Sequence, residues 1–92
     1  MTTINKKSGI LSWTEENILR APMEKGVFVL RTSPTLDSVK SINASENLKN
    51  DLMTAMQDIS ITHDVVFFDW YTTMSFEDAE ILAEFWREKY NS

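Results

Sequence analysis

Gly26-Val27-Phe28-Val29-Leu30-Arg31, running into Thr32-Ser33-Pro34-Thr35, is the stretch on which the fold turns. Its first part is short, β-branched and aromatic, and its second has turn composition, so it reads as a strand and the first half of a hairpin. The partner strand is expected over Leu36 to Asn43. There Val39, Ser41 and Asn43 alternate with Ser38, Lys40 and Ile42, a polar pattern that suits the edge of a sheet.

Working outward from this hairpin, Ser12-Trp13-Thr14-Glu15 fits a capping box and Pro22 blocks continuation, which predicts a short helix from Trp13 to Arg20. Downstream, Ser45 can cap a helix from Glu46 to Gln57, with Leu48, Leu52, Ala55, Met56 and Ile59 recurring on one face. Val65-Val66-Phe67-Phe68 with Trp70 and Tyr71 puts large groups on both faces of a strand, interrupted by Asp69, and so predicts cover on both sides. Ser75-Phe76-Glu77-Asp78 supplies a cap and an acidic first turn for a helix from Phe76 to Tyr90. The order α-β-β-α-β-α implies an α+β domain, a small three-stranded, largely antiparallel sheet flanked by helices. Residues 1–11 read as an N-terminal tail and 12–92 as a single domain.

Composition narrows the function. The 92 residues contain no cysteine, which excludes disulfides, thiolate metal sites and cysteine nucleophiles. Fourteen acids against nine bases give a net charge of −5, the wrong sign for general affinity to a phosphate backbone, so nucleic acid is disfavoured as a partner. The first seven residues lack the apolar run of a signal peptide, and no apolar stretch approaches the ~18 residues needed to span a bilayer. The expected compartment is the cytoplasm, with no membrane association.

Three local patterns resemble the GIY-YIG nuclease superfamily, in order, over Ser12 to Asn91. The segment from Trp13-Thr14-Glu15-Glu16-Asn17-Ile18 through Ala21-Pro22 into Lys25-Gly26-Val27-Phe28-Val29-Leu30 is similar to the entry helix and the GIY strand, with Phe28 where the family has tyrosine. Ser41-Ile42-Asn43-Ala44-Ser45-Glu46-Asn47-Leu48-Lys49 resembles the YIG strand and the helix start after it, with Ser41 at the tyrosine and Asn43 at the glycine. Phe67-Phe68-Asp69-Trp70-Tyr71 and the helix ending in Tyr90-Asn91 resemble the third strand and the helix that carries the metal-binding glutamate. The resemblance implies an arginine in the first turn of the middle helix, where this chain offers Lys49 and then Asn50. Counting back from Tyr90 places the glutamate at Ala83, and a one-residue shift would recover Glu84.

Phosphodiester hydrolysis needs a base or activated water, a cation beside the developing charge and a carboxylate for a divalent metal. The resemblance assigns these roles to the tyrosines, the arginine and the glutamate, and this chain has Phe28, Ser41, Asn50 and Ala83. Phe28 has no hydroxyl, Ser41 is too short to reach a tyrosine oxygen's position, and Asn50 carries no charge. Lys49 points about 100° away on a helix. The expectation is therefore a domain without catalysis, cofactor or metal, acting as a protein-interaction or regulatory module.

The candidate interaction residues lie on the last helix. Glu80, Glu84 and Glu88 repeat at i, i+4 and i+8, a line of like charges that either is a solvated face relieved by Arg87 and Lys89 or meets a basic, apolar partner. Phe85, between Glu84 and Trp86, is the candidate exposed anchor, for a protein partner or a second copy of the chain. His63 reads as a loop residue and Asp69 as a structural acid. The alternative is a nucleic-acid-binding or residual nuclease domain with Lys49, Lys40 and Arg31 on phosphate and Glu84 on metal.

Overall fold

The computed structural model describes residues 4–35 and 37–91, with the backbone only at Asn91. Leu36, the expected first residue of the second strand, lies outside the described residues, as do residues 1–3 of the expected tail. The elements are β1 (Ile4–Lys7), β2 (Leu11–Ser12), α1 (Glu15–Leu19), β3 (Gly26–Arg31), β4 (Val39–Ser45), α2 (Leu48–Gln57), α3 (Ile59–Thr62), β5 (Phe67–Thr73) and α4 (Phe76–Asn91).

β3 occupies the stretch that its sequence marks, and all six of its residues are buried. It pairs antiparallel with β4 on one side and β5 on the other, so Phe28 lies opposite Asn43 and Trp70, and Val29 opposite Ile42 and Asp69. The pleat then sorts its side chains between two cores. Phe28 and Leu30 join Ile18, Leu48, Leu52 and Phe68 on the face covered by α1 and α2. Val27 and Val29 join Ile42, Ala79, Leu82 and Ala83 beneath α4. Each fully buried leucine or phenylalanine here contributes roughly 1.5–3 kcal/mol of transfer free energy, which is why a strand covered on both faces carries an unbroken apolar run.

Gly26 is demanded by close approach. A Cβ built there would sit 2.0 Å from the backbone oxygen of Tyr71 on β5, so the two strands meet at this register only if position 26 has no side chain.

The α+β plan and antiparallel sheet are as expected, but the sheet has five strands instead of three. The extra two come from the stretch read as a tail: β1 pairs with Tyr71–Thr73 and β2 with Phe67–Phe68, forming the edge opposite β4. Between them Gly9 takes φ +72, and Ser8 clips the break to β5 by donating its N–H to Trp70 O and accepting Trp70 N–H on its Oγ, both at 3.0 Å. Ile4-Asn5-Lys6-Lys7 has no apolar alternation because all four residues are exposed on an edge, where lysines discourage further pairing.

Several boundaries shift for local reasons. Thr14, not Ser12, caps α1, its Oγ accepting Asn17 N–H at 3.2 Å, because Ser12 is held in β2. Ser45 likewise stays in β4, and Asn47 caps α2 by accepting Asn50 N–H at 3.0 Å. Ser45 supports that cap from behind, accepting Asn47 N–H at 3.1 Å and donating to Asp51 at 2.5 Å. α2 stops at Gln57, so Ile59 opens α3 and is exposed instead of joining the α2 face. Ser75 caps α4 as expected, its Oγ accepting Asp78 N–H at 3.1 Å. No helix among the described residues is long and apolar enough to cross a membrane.

Candidate functional site

β4 ends the sheet on the side opposite β1, and α4 packs against it. Two clefts follow this edge. One, of about 260 Å³, is lined by Asn43, Ala44, Phe76, Glu80, Glu84 and Arg87. The other, of about 240 Å³, is lined by Val39, Lys40, Ser41, Ile42, Asn43 and Arg87. Arg87 and Asn43 belong to both, so the two clefts meet at these residues. The Arg87 guanidinium donates from Nε and Nη2 to the carbonyl oxygen of Ile42, at 2.9 and 2.6 Å, clamping α4 to the strand.

The structure distributes the motif positions unequally around this edge. Phe28 is only 5% exposed, its ring inside the core under α1 and α2. Ser41 and Asn43 share that face of β4, and Asn43 Nδ2 donates to Ser41 Oγ at 3.0 Å. Asn50 is exposed on α2, while Lys49 is half-buried beside it. Ala83 is 0% exposed, packed under α4 with Val27, Val29 and Ile42. A carboxylate at position 83 would have to be buried among these apolar groups at a cost of several kcal/mol, on the order of that for any unpaired buried charge. Glu80 and Glu84, by contrast, face solvent in the cleft.

The interaction residues separate into two groups. Glu80 and Glu84 stand on the β4 side of α4, whereas Phe85, 61% exposed, and Ile81, one turn earlier, form an apolar strip on its outward side. Glu88 is exposed and lines neither cleft. None of the three glutamates forms an ion pair among the described residues. Arg87, expected to relieve their repulsion, spends its guanidinium on the strand.

The basic residues of the nucleic-acid alternative are largely engaged elsewhere. Arg31 is 3% exposed and Asp69 1%, and the guanidinium donates from Nε and Nη2 to the two carboxylate oxygens at 2.8 and 3.1 Å. Its Nη1 donates to Thr35 O at 3.2 Å, tying the hairpin loop to the pair, and the Tyr71 hydroxyl also donates to Asp69. Burial opposes the charged guanidinium, but the Asp69 carboxylate outweighs it and holds Arg31 above its ordinary pKa. Burial, reinforced by the neighbouring Asp69 carboxylate, pushes the Tyr71 phenol well above its usual value. Lys40 pairs with Asp64 at 3.0 Å, and its hydrogen bond holds that carboxyl below the usual range. Asp69 is thus a structural acid, and His63 is exposed in the turn after α3.

Sequence reasoning missed the two long-range contacts that organise this region, Arg31 with Asp69 and Arg87 with Ile42. The first had a signal: one acid and one base at buried positions of two otherwise apolar strands. Among the described residues no three His, Asp or Glu side chains converge as metal ligands.

Central antiparallel strands with α1 and α2 on one face, α4 on the other and a polar edge at β4 give this chain the fold of the GIY-YIG endonuclease domains. The solved structure of the GIY-YIG N-terminal endonuclease domain of UvrC from Thermotoga maritima, bound to its catalytic magnesium, matches with a TM-score of 0.72 and 22% identity, over 83% of this chain and 88% of that one. Two point mutants of the same domain, each with a tyrosine replaced by phenylalanine and bound to the catalytic divalent cation, match with TM-scores of 0.71, at 22% and 23% identity, over 83% of this chain and 87% of theirs. A scan against protein-family models finds no match, and a search of curated proteins finds none either.

Proposed function

We propose that this chain is a degenerate GIY-YIG domain that carries out no phosphodiester hydrolysis and serves as a protein-interaction or regulatory module. The observation that carries this reading is electrostatic. The cleft beside the YIG-like strand is lined by Glu80 and Glu84, and the cation within it, Arg87, is bound to a backbone carbonyl. With Arg87 so engaged, a phosphodiester entering there meets two carboxylates, and only a divalent ion held by them would compensate the developing negative charge of hydrolysis. Phe28 in the core, Ser41, and an uncharged Asn50 exposed on α2 support the same conclusion. The interaction itself is assigned to α4, where Ile81 and Phe85 offer an apolar strip flanked by Glu84 and Glu88, suited to a basic and apolar protein surface.

The test is a plasmid-nicking assay with Mg²⁺ or Mn²⁺ beside a low-salt gel shift. No nicking and no shift are expected. One specific observation favours the second reading, a residual metal-dependent nuclease or nucleic-acid-binding domain: Glu80 and Glu84 project into the cleft that Asn43 of the motif strand also lines. Nicking that disappears in Glu80→Ala or Glu84→Ala would establish that reading and overturn the first.

A further inference from the structure

The β4 edge has an open backbone. Ile42 presents its carbonyl outward to Arg87, away from β3, so the Val29–Ile42 pair is a non-hydrogen-bonded one of the antiparallel ladder. Alternation places Ala44, opposite Val27, in the same class, with its N–H and C=O also directed away from the sheet. Two residues of an edge strand therefore direct main-chain groups away from the sheet, Ile42 itself buried and Ala44 partly exposed. Among the described residues one of these groups, the Ile42 carbonyl, is taken, and the group that takes it is a side chain able to swing away. Glu84 stands one turn back from Arg87 at i, i+3, a ready alternative partner for the released guanidinium.

The clefts run on either side of Arg87 along this strand, and the wall on α4 of the one beside Ala44 is formed by Glu80 and Glu84. On the far side of the register, a bulge between Leu30 and Arg31 leaves Lys40 out of the ladder and limits any added pairing to the Ile42–Ala44 end.

We propose that this edge accepts an extended, lysine- or arginine-bearing segment of a protein partner, which pairs as an added strand with Ile42 and Ala44, displaces Arg87 from the Ile42 carbonyl and places a basic side chain against Glu80. The occupant follows from charge: once Arg87 turns to Glu84, the carboxylate of Glu80 remains, on a chain with net charge −5. That charge also disfavours a second copy of the chain as the occupant, since its own β4 would bring the glutamates of the α4 packed against it. Main-chain hydrogen bonds supply affinity in such strand addition, and the wall supplies selection. This inference rests on the protein-interaction reading but concerns a different surface from the Ile81–Phe85 strip.

The experiment uses the full chain and a synthetic octapeptide alternating Lys and Thr, followed by fluorescence polarisation and by amide exchange in NMR. The expected results are slowed exchange at Ala44 N–H on peptide addition, and loss of binding when alternate peptide nitrogens are methylated. Glu80→Lys is expected to weaken binding roughly tenfold at low salt, and Arg87→Met to tighten it, with Arg87→Lys intermediate and circular dichroism confirming that each variant is folded. Binding indifferent to N-methylation, or no slowing at Ala44 at saturation, overturns the proposal. So does self-association of Arg87→Met in light scattering with Ala44 protected, which would seat a second copy on the edge. Failure of edge pairing leaves the Phe85 strip available to a partner, whereas plasmid nicking would remove the interaction reading and leave the exchange result standing, so the two failures are distinguishable.

Discussion

Removing Asp69 while keeping Arg31 should be among the most destabilising single changes available in this chain. The pair is bidentate, at 2.8 and 3.1 Å, with both side chains almost fully buried. At an effective dielectric of 20, two charges about 4 Å apart attract by roughly 4 kcal/mol, and breaking a buried pair from one side typically costs about 3–5 kcal/mol because the remaining charge is stranded. Asp69→Ala also deprives the Tyr71 hydroxyl of its acceptor. With a urea m-value of about 1–2 kcal/mol per M, the midpoint should fall by about 1.5 M or more, or the variant should be unfolded in buffer. Replacing both partners, as Arg31→Met with Asp69→Leu, removes the stranded charge and should recover most of the loss. The assay is equilibrium urea unfolding by tryptophan fluorescence on wild type, both single variants and the double variant. A midpoint shift under about 0.5 M for Asp69→Ala, or a double variant no more stable than the worse single one, would refute the account of the pair as mutual charge compensation.

Two further outcomes follow from the same region. Gly26→Ala should destabilise by about 1–3 kcal/mol, the usual range for overpacking, because the added methyl meets the Tyr71 backbone oxygen and neither strand can yield without breaking the ladder; urea unfolding measures it, and a neutral substitution would contradict the tight β3–β5 approach. The raised pKa of Tyr71 means that its neutral phenol favours the folded state, so this contribution is complete below the ordinary value of 10 and lost as pH rises beyond it, when the unfolded chain ionises first. Stability measured between pH 9 and 11 should therefore decline, and Tyr71→Phe should flatten that decline.

How much of this was legible beforehand depends on how local its cause is. β3 was read at its true bounds because a strand buried on both faces concentrates apolar residues into one run, and the start of α4 because Ser75, an acidic first turn and helical periodicity lie within a few residues of one another. The order and spacing of the Gly26, Ser41 and Asn47-Leu48 segments was likewise enough to anticipate the GIY-YIG fold. β1 was not legible, since four exposed residues on an edge owe their structure to β5, more than sixty positions away. Ser12 and Ser45 were plausible caps by composition, but strand pairing claimed both, and Thr14 and Asn47 took the role.

The site divides in the same way. The sequence alone determined which chemistry positions 28, 41 and 50 can supply, because a side chain's functional groups do not depend on where it is placed. Only the tertiary structure decided that position 83 is a core position, that Glu80 and Glu84 face the β4 edge while Phe85 faces outward, and that Arg31 and Arg87 are committed to partners 38 and 45 residues distant. Helical periodicity defines the angles between side chains on α4 but not which neighbour each angle meets. That choice belongs to packing, where the burial of Ala79, Leu82 and Ala83 and one guanidinium on one carbonyl fix the helix against the strand.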